Sequence, residues 1–151
     1  MKRTHIAARD AIALIQVIGC GALWSHPAIH FPGDADGLEQ FLKELMAWGI
    51  EGVEVFNPSH AEDDAELLGG LVVKYKLLRT AGSDFHEKGD HVADPRTGLH
   101  ASRTIGDYEI YGFPVDDMIP QLDEAMGRAK KAGHSGVLEQ NIDTGGVTGQ
   151  P

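Results

Sequence analysis

Three stretches of the chain place apolar residues at helical spacing, and each is followed by a short apolar run of strand length. In Ile6 to Ile18, residues Ile12, Ile15 and Ile18 fall on one side, and Gly19 supplies a stop. Gly21-Ala22-Leu23-Trp24-Ser25 then predicts a short buried strand. Leu38, Phe41, Leu42 and Leu45 follow the i, i+3, i+4, i+7 pattern, with Asp34 or Asp36 available as N-cap and Gly49 just past the end. The strand it feeds is Gly52-Val53-Glu54-Val55-Phe56. A third helix carries Leu68, Leu71, Val72 and Tyr75 on its inner face, with Ser59 and Glu62 spaced as an S-x-x-E capping box and Gly69-Gly70 weakening its propensity. Leu78 to Ala81 predicts a third strand, and a Gly/Asp-rich loop runs from Ser83 to about Asp107. The last helix is expected from about Asp116 to Ala132, with Met118, Leu122, Ala125, Met126 and Ala129 as its stripe. Pro120 is compatible with it in the first turn.

This alternation predicts an α/β fold of parallel βαβ units with right-handed crossovers. The 151-residue chain suits one domain, residues 1–135, and the sparse apolar pattern after Gly136 predicts a disordered tail over 136–151. A hydrophobic fraction of 42% with 24% charged residues is that of a globular protein. Thirteen basic residues against twenty-three acidic give a net charge of −10, which excludes a general attraction to nucleic-acid backbone or anionic membrane. An anionic ligand would then need local help, such as a metal ion. Cys20 is the single cysteine and is expected as a small buried apolar residue, without an internal disulfide. The apolar stretch Ala11 to Leu23 is interrupted by Gln16, Gly19 and Gly21, too short and broken for a membrane span. Arg9 and Asp10 against it argue against a signal peptide, and the expected location is cytoplasmic.

In parallel α/β folds ligands bind beyond the carboxyl ends of the strands. Each expected strand here delivers polar chemistry at that point: His26-Pro27 after the first, Asn57-Pro58-Ser59-His60 after the second, Ser83-Asp84-Phe85-His86 after the third. Imidazole and carboxylate together suit zinc, manganese or iron. An extended backbone at Asp84-x-His86 would put both side chains on one face. Each piece has a plainer reading: His26 as a turn residue, Ser59 as a helix cap with His60 beside it by accident, Asp84 as an Asx-turn residue. The coincidence of three strand ends favours function, with His26, His60, Asp84 and His86 as candidates. His30, His91, His100 and His134 lack a strand-end setting and are expected at the surface.

SHP at 25–27, GIEGVEVFNPSH at 49–60 and TAGSDFH at 80–86 resemble later motifs of the PHP (polymerase and histidinol phosphatase) superfamily of metal-dependent phosphoesterases. The likeness covers about residues 8 to 126. It is strongest to stand-alone members acting on nucleotides and short oligonucleotides. The resemblance implies parallel βαβ units like the C-terminal half of a distorted (β/α)7 barrel, with divalent metal ions (Mn, Zn or Fe, Mg also compatible). It implies His26, Asp84 and His86 as metal ligands and His60 beside the substrate phosphate. The family opens with an HxH strand and further ligands. Nothing here matches those, His5 being the one early histidine, and a basic residue often found after the HP motif is replaced by Ala28-Ile29-His30. Two expectations follow. One is a phosphoesterase acting on a phosphorylated small molecule or short oligonucleotide. The other is a catalytically incomplete fragment or subunit, from a truncated reading frame or paired with a separate N-terminal half, and prone to self-association.

Overall fold

The computed structural model describes residues 6–86, 91–93, 100–102, 104–106 and 108–138. In chain order the elements are α1 (Ala8–Val17), β1 (Leu23–Trp24), a 3₁₀ turn (Pro27–His30), α2 (Ala35–Ala47), β2 (Gly52–Phe56), α3 (Glu62–Tyr75), β3 (Leu78–Ala81), β4 (His91–Ala93), β5 (His100–Ser102) and α4 (Met118–Leu138). The strands β1, β2 and β3 form a parallel sheet in that order, with Trp24 opposite Val53 and Val53 opposite Arg79. The protein is therefore α/β with a parallel three-stranded sheet, as the alternating pattern predicts.

The central strand shows why the pattern is legible. Val53, Val55 and Phe56 are all fully or nearly fully buried, because a parallel strand is covered on both faces. Leu38, Leu42 and Leu45 from α2 and Leu68, Leu71 and Val72 from α3 pack around it. Asp34 caps α2 by accepting from the Gly37 N–H at 2.9 Å. Gly52 opens β2 where its neighbours crowd in: an added Cβ would lie 2.6 Å from the Leu23 side chain and 2.8 Å from the Leu78 carbonyl oxygen. Gly52→Ala is expected to cost about 1–3 kcal/mol by overpacking. Thermal denaturation checks it; an unchanged midpoint would contradict the strand spacing.

Glu39 staples α2 to α3 by accepting from Lys74 Nζ at 2.8 Å, from the Tyr75 hydroxyl, and from Lys43 Nζ at 3.0 Å. The Lys74 and Tyr75 hydrogen bonds lead in lowering its carboxyl from the ordinary 4.5 to about 2. A depressed acid stabilises the fold above its unfolded value and loses that contribution as pH falls from about 4.5 through about 2. Acid titration of Glu39→Gln should show a shallower stability loss in that window than the parent chain. An identical slope would remove the staple.

Four expectations change. The α3 N-cap is Ala61, whose N–H donates to Asp64 Oδ2 at 2.7 Å, so Ser59 and Glu62 do not form the capping box. The reason lies upstream: Asn57 takes the Ser59 N–H on its side chain and the His60 N–H on its carbonyl, both at 2.9 Å, closing a turn before the helix begins. The stretch expected as a continuous loop contains the antiparallel pair β4–β5, whose three-residue strands are too short to show alternation. Cys20 is exposed, because the turn at Gly19 (φ +77) carries it out to the sheet's N-terminal rim. Helix α4 reaches Leu138, past Ala132, while residues 139–151 and His5 lie outside the described residues. Among the described residues no helix is long and apolar enough to cross a membrane.

Candidate functional site

Because β1, β2 and β3 run parallel, the turns that leave them open on one rim. His26 follows β1 in a left-handed conformation (φ 35, ψ 53), which is unfavourable for a residue with a Cβ. Its N–H donates to Glu54 Oε2 at 2.6 Å, and buried Pro27 starts the 3₁₀ turn behind it. The His26 Nδ1 is buried without a hydrogen-bond partner among the described residues. His30, one turn on, is exposed as expected, yet its ring centroid lies 5.6 Å from that of His26. Burial first, and His26 second, hold the His30 imidazole below its usual value.

After β2, His60 is 1% exposed. Its Nδ1 lies 2.8 Å from the Val55 carbonyl, which can only accept, so Nδ1 carries a proton and donates it there. The Tyr111 hydroxyl donates to the His60 carbonyl at 2.9 Å and fixes the same residue from outside. His60 is thus a buried, oriented imidazole.

After β3, Asp84 and His86 do meet, with His86 Nε2 at 3.3 Å from Asp84 Oδ1. The route differs from the expected extended backbone: Asp84 takes a left-handed φ of 53, and that kink folds the two side chains together. His86 is largely exposed and Asp84 partly so, which leaves the pair open to a ligand.

Glu54 lies in the middle of β2, where the Gly-Val-Glu-Val-Phe pattern predicts only a strand. Its Oε2 accepts from the His26 N–H at 2.6 Å and from Asn57 Nδ2 at 3.1 Å, and its Oε1 packs where a Cβ on Gly82 would sit. Burial pushes its carboxyl up, the His26 N–H and His26 charge oppose that, and Asp84 adds to the rise. The available signal was a carboxylate inside Gly-Val-Glu-Val-Phe, since a half-buried charge in a strand needs partners.

The donor types at the rim are those a divalent metal takes, and both the orphaned His26 Nδ1 and the Asp84–His86 pair fit that chemistry. Asp84 and His86 are in contact, and among the described residues no group of three or more His, Cys, Asp or Glu side chains comes together as one ion's coordination set.

No family model matches the chain. The chain is 34% identical over 95 residues to a phosphoribosyl 1,2-cyclic phosphate 1,2-diphosphodiesterase of Eggerthella lenta, covering 63% of this chain and 33% of that protein. It is 31% identical over 81 residues to a 3′,5′-nucleoside bisphosphate phosphatase of Chromobacterium violaceum, covering 54% of this chain and 28% of that protein. The chain thus spans about a third of the length of the curated relatives it matches. Among solved structures it resembles an amidohydrolase from Chromobacterium violaceum, determined with bound sulfate and no metal. The TM-score is 0.53 at 22% identity, over 83% of this chain and 39% of that one, a likeness of fold alone.

Proposed function

We propose that this chain carries the strand-end portion of a PHP-type phosphoesterase site that hydrolyses phosphate esters of nucleotides or short oligonucleotides. The observation that carries the reading is the convergence of His26, the Asn57–His60 turn and the Asp84–His86 pair on one rim of a parallel sheet. Similarity to two enzymes named for phosphate-ester substrates supports the same class.

In this reading Asp84, His86 and His26, the last through Nδ1, would hold divalent ions (Mn, Zn or Fe, with Mg also compatible). Such ions supply charge for the phosphoryl oxygens and lower the pKa of a bound water. His60, held in a fixed orientation by Val55 just beneath the rim, is the candidate for the phosphate or leaving group once substrate opens the turn above it. The acidic chain, net −10, leaves those ions and imidazoles as the attraction for an anionic substrate.

A second reading is a partial PHP domain that needs donors from another segment, resembling the C-terminal half of the barrel. That no group of three or more donors comes together among the described residues favours it. So do β1, which pairs with β2 alone among the described residues, and the exposed Val17 (80%) and Ile18 (67%) at the end of α1, surfaces on which another half would pack. Light scattering should show self-association; a monomer at high concentration would oppose that part.

The experiment is phosphate release from a nucleoside 3′,5′-bisphosphate with and without Mn²⁺. Metal-dependent release by the chain alone supports the first reading, and release only with a related N-terminal half supports the second. No release in either case, with Mn²⁺ bound or not, would contradict the phosphoesterase class.

A further inference from the structure

We infer that Glu54 is the positioning residue of this rim: its carboxylate holds His26 in its left-handed turn and references the loops after all three strands to one point. The inference deepens the phosphoesterase reading, on which its consequence for ligand binding rests.

One oxygen, Oε2, accepts from the His26 N–H at 2.6 Å after β1 and from Asn57 Nδ2 at 3.1 Å after β2. The other, Oε1, occupies the space a side chain on Gly82 would need after β3. Gly82 is itself tied back to β2 by its N–H to the Phe56 carbonyl at 2.9 Å. Asn57 in turn shapes the next loop, taking the Ser59 and His60 amides. A single carboxylate therefore sits upstream of the placement of His26 and of the Asn57–His60 turn.

The position is poor for stability alone. A carboxylate flanked by buried Val53 and Val55 is desolvated, and the nearby Asp84 adds like charge. An apolar residue in a parallel strand would avoid both costs. His26 also holds a left-handed backbone conformation that is uncommon for residues other than glycine, and the charge-assisted hydrogen bond from its N–H opposes relaxation of that turn. Relaxation would swing the imidazole, and with it the buried Nδ1, away from the rim.

Asp84 and His26 face Glu54 from the neighbouring loops, and Asn57 from its own strand end. All three are polar groups of the proposed site. Substitution of Glu54 should accordingly be felt at the rim before it is felt in the core.

The test uses ¹⁵N-labelled full-length chain with Glu54→Gln and Glu54→Ala. Gln keeps an acceptor of the same shape without the charge; Ala removes it. In the parent chain the His26 amide proton should resonate downfield and exchange slowly with solvent. In Glu54→Gln it should move upfield but stay protected, and in Glu54→Ala its protection should fall by about tenfold or more, with core amides such as Val55 and Leu42 unchanged. Mn²⁺ affinity at the rim should fall by about 10- to 100-fold in Glu54→Ala, the range for removing a residue that orients a ligand, and by less in Glu54→Gln. Unchanged His26 protection in Glu54→Ala overturns the inference, as does equal loss across all amides, which marks a general structural role. Should Glu54→Ala not fold, Glu54→Gln decides alone. An upfield His26 amide with Mn²⁺ affinity lowered about threefold or more sustains the inference, and parent-like values overturn it. A parent chain that takes no Mn²⁺ at the rim removes the phosphoesterase reading, while the amide measurements still decide whether Glu54 positions His26.

Discussion

Asp84→Asn should lower metal-dependent phosphate release by more than about 100-fold while leaving the fold intact. Asp84 and His86 touch at the rim as a carboxylate–imidazole donor pair. Residues that merely orient a metal ligand cost about 10–100-fold in affinity or activity when removed, so loss of a direct carboxylate donor should cost at least the upper end of that range. Asn preserves shape and one acceptor oxygen, and Asp84 lies outside the apolar core, so thermal stability should change little. Its left-handed φ of 53 is a conformation that Asn also tolerates. Initial rates and bound metal, measured on the same preparation, check the prediction. Parent-like turnover in Asp84→Asn would return Asp84 to the role of a turn residue.

His60→Ala should produce the largest loss of stability among the candidate residues, about 2–4 kcal/mol. A fully buried imidazole leaves a cavity, and the Val55 carbonyl loses its donor at 2.8 Å. That cost would blur any reading of activity, so a second variant separates structure from chemistry. Asn places an N–H near the position of Nδ1 and has nothing at Nε2. His60→Asn should therefore recover much of the stability by restoring the bond to Val55, yet remain about 100-fold below the parent in turnover if Nε2 serves the phosphate or leaving group. Denaturant unfolding and initial rates together decide it. Full activity in His60→Asn would make His60 a core residue and nothing more.

The contrast between His60 and Glu54 shows where sequence reasoning succeeds and stops. Strand β2 and helix α2 are legible because their apolar residues are buried where their patterns place them, and Asp34 caps α2 as its place predicts. The strand-end positions of His26, His60, Asp84 and His86 follow from the same periodicity. How they are held does not, because it depends on contacts across the sheet. The Glu54 bond to His26 spans 28 residues, and no local pattern announces it. The kink at Asp84 and the Asn57 turn that pre-empts Ser59 arise from local backbone choices among alternatives of similar cost. Even so, a glutamate centred in Gly-Val-Glu-Val-Phe was a readable anomaly, a charge where the sheet demands apolar residues.

Paramagnetic broadening by Mn²⁺ tests the central claim most directly, because it reports position without requiring turnover. Added at a small fraction of the concentration of ¹⁵N-labelled chain, Mn²⁺ should first broaden the amides of His26, Asn57 to His60 and Gly82 to His86, and adenosine 3′,5′-bisphosphate should then shift the same set. Broadening confined to the acidic first turn of α3, at Glu62, Asp63 and Asp64, with the three strand ends untouched, would contradict a metal-dependent phosphoesterase site on this rim.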